Sequence, residues 1–189
     1  MTKFPQLDRR NAMKLLLAAG AASGVASCGN GSETKSAPRK VSKTMLDTAE
    51  MALLTALSSV IIPTTETLGA ADVGVPDTIQ DLLKNWGEDD LRVYWFEGLA
   101  SIETHFKKTK GKPFASLDPV TRLSALETYD KAVYEGKIDN PFYKNAKATI
   151  ARAYYMTEVG ADEELIYDPV PGDFQGCIPF EDVGRAWAT

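Results

Sequence analysis

Helix start signals that contain proline are the strongest constraint on the fold of this chain. Asp118-Pro119 and Asn140-Pro141 each place a capping side chain directly before a proline. Proline suits the first turn of a helix because an amide hydrogen has no partner there. The apolar residues after these signals recur every three or four positions, and no segment alternates apolar and polar residues long enough to form a strand. These patterns predict an all-α domain.

We predict five helices, separated by turns rich in glycine and proline. The first helix is predicted to begin at Asp47, whose capping-box partner is Glu50, and to end at Pro63. The other four are predicted to run from near Asp77 to Gly87, from Glu88 or Asp89 to Lys110, from Asp118 to about Glu135, and from Asn140 to Gly160. Residues 64–76 are predicted to be a loop. The apolar stripes predict burial of Met51, Leu54, Leu57, Ile61, Leu91, Trp95, Leu99, Ile102, Phe106, Phe142, Ala146, Ile150, Ala153 and Met156.

The chain changes character after Gly160. Residues 161–189 contain three prolines and several glycines among large apolar and aromatic residues, without helical periodicity. Such a segment is too apolar for a disordered appendage and has too many helix breakers for a helix. We predict a Pro/Gly-rich extended C-terminal tail that packs either on its own domain or on another protein.

The N-terminal residues 1–27 have the layout of an export signal, with a charged stretch, an apolar run and small residues. Arg9-Arg10, followed by Lys14, resembles the twin-arginine signal, which carries folded proteins across a membrane. A general secretory signal with two incidental arginines is the alternative.

Residues 25–28, Val-Ala-Ser-Cys, match the bacterial lipobox. Cys28 would accept the lipid and become the new N-terminus, whereas ordinary cleavage near a free cysteine is the alternative. Residues 28–42 are rich in Gly, Ser, Lys and Pro and are predicted to be a flexible tether. The helical domain would then span residues 43–189, in a periplasmic protein anchored to a bacterial membrane by its lipid.

The charge balance argues against a nucleic-acid partner. The chain has 21 basic and 26 acidic side chains, and removal of residues 1–27 would leave 17 and 25. Binding to phosphate groups needs clustered Lys and Arg. The only histidine, His105, and two cysteines offer little for a metal site, and dinucleotide, Walker and c-type haem motifs are missing. We therefore expect no cofactor and no active site of the chain's own.

Two smaller features leave alternatives open. If Cys28 is lipidated, Cys177 is the only remaining thiol, and it is either buried, which we expect, or paired with another chain. Glu158 follows Tyr154-Tyr155, and a carboxylate beside aromatic rings can bind sugar, although packing and capping also explain it. A stand-alone carbohydrate-binding lipoprotein, using aromatic residues at 95, 154 and 187, is therefore the alternative function.

Two separated signatures resemble those of the gluconate 2-dehydrogenase subunit 3 family. The first is residues 61–70, IIPTTETLGA, followed by VGVP at 73–76. The second is YYMTEVG at 154–160, then YDPVPG at 167–172 and GCIP at 176–179. Leu68 stands where the family usually has proline. The resemblance covers roughly residues 45–180.

The resemblance implies a small, non-catalytic subunit of a periplasmic, membrane-anchored sugar or sugar-acid dehydrogenase. In that family the catalytic partner is a flavoprotein of the glucose-methanol-choline type, which holds FAD, and a c-type cytochrome often accepts the electrons. We expect the loop and the tail to contact this partner, because they contain apolar groups that no helix of their own would bury. The candidate interface residues are Pro63, Thr65, Glu66, Tyr154, Tyr155, Glu158, Tyr167, Pro171, Phe174, Cys177 and Trp187.

Overall fold

A computed structural model describes residues 42–166, 172, 176–177, 179–184 and 186–187. Its helices are α1 (Thr48–Ile61), α2 (Val75–Asn85), α3 (Asp89–Lys110), α4 (Pro119–Tyr134), α5 (Pro141–Tyr154) and the single-turn α6 (Phe180–Val183). A 3₁₀ turn, Phe114–Ser116, precedes α4, and a π-helix, Val159–Glu164, follows α5. The described residues contain no β-strand, which confirms the all-α prediction.

Three of the long helices begin at the predicted capping residues. The Asp47 carboxylate accepts hydrogen bonds from the Ala49 and Glu50 amides, both at 2.9 Å, and the Glu50 carboxylate accepts one from the Asp47 amide at 2.8 Å. This is the reciprocal capping box. Asp118 and Asn140 accept from the amide three residues later, at 3.0 Å in both cases. These side chains satisfy amides that would otherwise lack a partner.

Helix α2 begins two residues earlier than the sequence suggested. Gly74, with φ of 77°, is the residue before the helix, and Val75 is its first residue. A positive φ is costly for residues that have a Cβ atom, so glycine suits this position. Pro76 lies in the first turn of α2, where it needs no amide hydrogen. The loop between α1 and α2 therefore ends at Gly74, two residues before the predicted limit at Pro76.

Helices α3 and α5 pack closely where Gly98 faces Phe142. The Phe142 ring lies against Gly98, between Tyr94 and Trp95, with ring-centroid distances of 5.2 and 5.3 Å. Glycine at position 98 leaves the space that this ring fills. The predicted burial on α3 is confirmed for Trp95, Leu99, Ile102 and Phe106. Leu91 was also predicted to be buried, but it lies in the first turn of α3 and is 45% exposed.

Helix α5 ends at Tyr154, six residues before the predicted end at Gly160. The Thr157 amide and hydroxyl both donate to the Tyr154 carbonyl, at 2.9 and 2.7 Å, and so close the last turn locally. Met156 consequently projects outward and is 81% exposed, although burial was predicted.

The segment after Gly160 is also more regular than expected, because residues 159–164 form the π-helix. None of the described helices is both long and apolar enough to cross a bilayer.

Candidate partner interface

The loop between α1 and α2 is held in one shape by hydrogen bonds of its own. The Ala70 amide donates to the Ile62 carbonyl at 3.0 Å, and the Val75 amide donates to the Ala70 carbonyl at 3.1 Å. The Thr64 hydroxyl accepts from the Gly69 amide at 3.0 Å and donates to the Asp72 carboxylate. These bonds close the loop on itself, so its exposed side chains start from a fixed backbone.

Gly69 is the point where the middle of this loop folds back against its first residues. A Cβ atom at this position would lie 2.6 Å from the Thr64 nitrogen and 2.7 Å from the Ile62 carbonyl oxygen. Real Cβ atoms do not approach backbone atoms so closely, and backbone cannot move aside as a side chain can. Glycine is therefore required here for close approach of two backbone segments.

Two side-chain hydrogen bonds join the loop to the C-terminal part of the chain. The Tyr154 hydroxyl donates to the Leu68 carbonyl at 3.0 Å. The Thr67 hydroxyl donates to the Glu164 carboxylate at the end of the π-helix. Both bonds span more than eighty residues of sequence. The loop and residues 154–164 thus form one connected surface region.

The C-terminal segment is also held by backbone contacts. Gly160 is buried in the π-helix, and a Cβ atom there would lie 2.2 Å from the Tyr154 carbonyl oxygen. Farther along, the Ile166 amide donates to the Ala186 carbonyl at 2.8 Å, and Ile166 forms an isolated parallel bridge with Trp187. Trp187 therefore lies next to the residues that follow the π-helix.

The exposed residues of this region include several large apolar side chains. Leu68, Tyr155, Met156 and Trp187 are 50, 45, 81 and 51% exposed. We call this region the loop–tail surface and define it by Pro63, Thr65, Glu66, Leu68, Tyr155, Met156, Glu158 and Trp187. Aromatic residues and Met are enriched in protein interfaces. The candidate interface residues chosen from the sequence do not include Leu68 and Met156, although Leu68 lies in the loop that was expected to contact the partner.

The structure places the predicted interface residues in different surroundings. Pro63, Thr65, Glu66, Tyr155, Glu158 and Trp187 are exposed. Cys177 is an exposed free thiol, so the expected burial was wrong. Tyr154 is only 1% exposed and supports the Leu68 carbonyl from inside, so it offers no surface to a partner. The predicted residues that lie outside the described part of the chain are Arg9, Arg10, Lys14, Cys28, Tyr167, Pro171 and Phe174.

The aromatic residues suggested for sugar binding do not form a common site. Trp95 is 5% exposed and packs edge-on against Phe142 in the core. Tyr154 is buried as well, and only Trp187 presents its ring to solvent. Sugar binding by aromatic residues needs an exposed ring face on which the sugar can stack. The structure therefore contradicts this aromatic cluster as a carbohydrate site.

His105 and Tyr129 are ionisable groups whose pKa values are shifted by burial in the core. No group of three or more His, Cys, Asp or Glu side chains could hold a metal ion within the ranges that the structure describes. His105 is half-buried against the Tyr129 ring, and burial, with the nearby Lys108 charge, lowers its pKa below 6.5. Burial likewise raises the pKa of the Tyr129 hydroxyl, which accepts a hydrogen bond from Asn140. These groups belong to the core between α3, α4 and α5.

Comparison with known proteins agrees with the resemblance found in the sequence. A family model described as gluconate 2-dehydrogenase subunit 3 matches residues 48–172, from the first residue of α1 to beyond the π-helix. Neither a curated protein nor a solved structure matches the chain. The family match covers most of the sequence and includes the first signature and residues 154–172 of the second, while residues 176–179 lie beyond it. The chain therefore belongs to the gluconate 2-dehydrogenase subunit 3 family, whose members are accessory subunits of a dehydrogenase complex.

Proposed function

We propose that this chain is the accessory subunit of a periplasmic sugar or sugar-acid dehydrogenase and that its loop–tail surface binds the catalytic subunit. The catalytic subunit would be a flavoprotein of the glucose-methanol-choline type that holds FAD and oxidises the carbohydrate. A c-type cytochrome would accept the electrons. This chain would contribute binding, export and anchoring, while the chemistry takes place in its partner.

The observation that carries this proposal is the exposure of large apolar side chains on a fixed backbone. The four apolar side chains of the loop–tail surface are each at least 45% exposed. When a partner covers exposed apolar side chains of this kind, their removal from water stabilises the complex. The loop is already held by the Tyr154 and Glu164 hydrogen bonds, so binding orders little additional backbone.

We further propose that this chain brings its partner to the membrane. A flavoprotein takes up FAD in the cytoplasm and must then cross the membrane folded, which the twin-arginine route permits. A partner without a signal of its own could be carried by the signal containing Arg9 and Arg10. Lipidation of Cys28 would afterwards hold the complex at a membrane. Replacement of both arginines by lysine should leave the chain and the flavoprotein together in the cytoplasm, whereas normal periplasmic activity would contradict the carrier role.

The interface is tested by changing one exposed apolar residue of the loop. Leu68→Asp introduces a charge into the proposed contact but leaves the Leu68 carbonyl, which accepts from Tyr154, in place. We expect co-purification of the flavoprotein to fall at least about tenfold, as for a central interface residue. The measurement is bound flavin per chain after affinity purification of the full-length protein.

The matched control is Leu82→Asp, because Leu82 is also 50% exposed but lies on α2. The control should retain the flavoprotein as the wild type does. Both variants should keep the wild-type melting temperature within a few degrees, since neither residue is buried. Equal retention of flavin by Leu68→Asp and the wild type would contradict the proposed interface.

A further inference from the structure

One side of α4 is only partly covered along about three turns, with Pro119, Leu123 and Glu127 exposed and Leu126 buried. Positions 119, 122, 123, 126, 127 and 130 are spaced by three and four residues and so share one side of the helix. Leu123 on this side is 47% exposed, and Val120 at its edge is 79% exposed. Surface helices usually keep apolar side chains for the core. This face therefore has apolar surface that the described residues leave uncovered.

The C-terminal end of α1 lies opposite this side of α4. Two cavities lie between the helices, of about 240 and 190 Å³. Val60 and Leu123 line both cavities, so the cavities adjoin and form one groove. We call it the α1–α4 groove and define it by Ser59, Val60, Ile61, Pro63, Pro119, Arg122, Leu123, Leu126, Glu127, Asp130, Tyr143 and Lys147.

The N-terminal end of the groove is lined by the positively charged side chain of Arg122. One terminal nitrogen of Arg122 donates to the Ala115 and Leu117 carbonyls, at 2.8 and 2.9 Å. The guanidinium group is thereby held in place, and its positive charge at this end of the groove favours a carboxylate.

The other end of the groove has an excess of negative charge. The Asp130 carboxylate accepts from the Tyr143 hydroxyl at 2.9 Å and from the Lys147 ammonium at 2.6 Å. Burial, together with the hydrogen bond to Asp130, raises the pKa of Tyr143, so this hydroxyl stays neutral. Glu127 lies on the same face and is exposed. The charged residues that line this end, Glu127, Asp130 and Lys147, carry two negative charges and one positive charge, which favours a cation beside Glu127.

We propose that the α1–α4 groove binds a short segment of the catalytic subunit that carries an acidic side chain, apolar side chains and a Lys or Arg, in that order along the groove. The acidic group faces Arg122 and the cation faces Glu127. The stripe from position 119 to 130 is about 16 Å long at the rise of an α-helix, which about five extended residues would span. This inference rests on the proposed function.

The position of Pro63 connects this groove with the loop–tail surface. Pro63 lines the groove at its Arg122 end and is the second residue of the loop that holds Leu68. One partner can therefore cover both regions without a gap between them. The opposite charges at the two ends of the groove would also fix the direction in which the segment lies.

The test uses two variants in the groove and two controls on the other exposed side of α4. Leu123→Glu and Glu127→Lys change the middle and the negative end of the groove. Ser124→Glu and Thr128→Lys place the same new side chains one position further along, where they face away from it. All four positions are exposed, so circular dichroism should show wild-type helix content and melting for each variant.

The measured quantity is the dissociation constant between each full-length variant and the flavoprotein that co-purifies with the wild type. We expect each groove variant to bind at least about tenfold more weakly and each control to stay within about twofold. Wild-type affinity in both groove variants would overturn this inference. If Leu68→Asp then still weakens binding, the proposed function stands without the groove. If the wild-type chain binds no flavoprotein, both proposals are wrong.

Discussion

The Tyr154 hydroxyl donates a hydrogen bond to the Leu68 carbonyl at 3.0 Å, which links the last residue of α5 to a loop 86 residues earlier. The Tyr154 ring is buried, so the core determines where this donor lies. The Leu68 side chain beside the carbonyl is half exposed. The interior of the domain therefore supports the loop–tail surface from beneath, and a change inside the core should be detectable at that surface.

Tyr154→Phe should distinguish the contribution of this hydrogen bond to stability from the contribution of the packed ring. The variant keeps the ring but removes the donor, so the Leu68 carbonyl loses its partner. We expect the free energy of unfolding to fall by about 1 kcal/mol, the usual cost of one such hydrogen bond. Urea titration measures this loss, and Tyr155→Phe is the exposed control. A Tyr154→Phe protein as stable as the wild type would show that the bond does not support the loop.

The resemblance to the family and the helical class could be predicted from sequence because the signals are local. Capping side chains and proline act within one helical turn, and the structure confirms them at Asp47, Asp118 and Asn140. The end of α5 was mispredicted because Thr157, which has no strong breaker beside it, closes the helix through its hydroxyl. Gly160 seemed to be a helix stop but is instead required for close packing.

The site was harder to predict because its bonds connect distant residues. The sequence suggests Tyr154 as an interface residue, because it lies in the second signature. Its burial depends on α5 packing against other helices, which the local pattern does not specify. The α1–α4 groove was not predicted at all. Leu123 and Leu126 look alike in sequence, yet Leu126 is 4% and Leu123 47% exposed.

Gly98→Ala should destabilise the protein although alanine favours helices. The gain in helix propensity is about 1 kcal/mol. The new Cβ atom, however, would lie 2.1 Å from Cγ of Phe142, whose ring is confined by Tyr94 and Trp95. Overpacking of this kind costs about 1–3 kcal/mol, so we expect a net loss of up to about 2 kcal/mol.

Calorimetric melting measures this loss. Thr104→Ala, at an exposed position of the same helix, is the control and should change stability by no more than about 0.5 kcal/mol. A higher melting temperature for Gly98→Ala would mean that the Phe142 ring can move aside.

The capping box of α1 predicts a pH-dependent stability. Hydrogen bonding from the Glu50 amide, then from Lys43, holds the pKa of Asp47 below its ordinary value of 3.8. Because the folded state favours the ionised form, its stabilisation is complete above pH 3.8 and is lost as the pH falls through the lower pKa of the folded protein. At pH 7, Asp47→Ala should cost about 1 kcal/mol.

Urea unfolding of the wild type and Asp47→Ala between pH 7 and pH 2.5 tests this account. The difference between them should shrink only in the acid range. Asp47→Asn retains an oxygen acceptor without a titrating group and should stay nearer the wild type at pH 7. A difference that is the same at every pH would show that the Asp47 charge does not contribute.

The lipobox predicts a membrane anchor at Cys28. Cys28→Ala removes the thiol that would accept the lipid, so the mature domain should leave the membrane fraction. The measurement combines acyl labelling with sedimentation of membranes after a high-salt wash. Cys177→Ala is the matched control and should remain membrane-bound. Continued labelling and sedimentation of Cys28→Ala would exclude this residue as the lipid site.

The most direct test of the central proposal is purification of the full-length wild-type chain from its native host, followed by measurement of its bound flavin. We expect a flavoprotein of the glucose-methanol-choline type in fixed ratio to this chain, with one FAD for each flavoprotein and sugar or sugar-acid dehydrogenase activity in the same fraction. A chain that purifies alone, without flavin and without dehydrogenase activity, would contradict it.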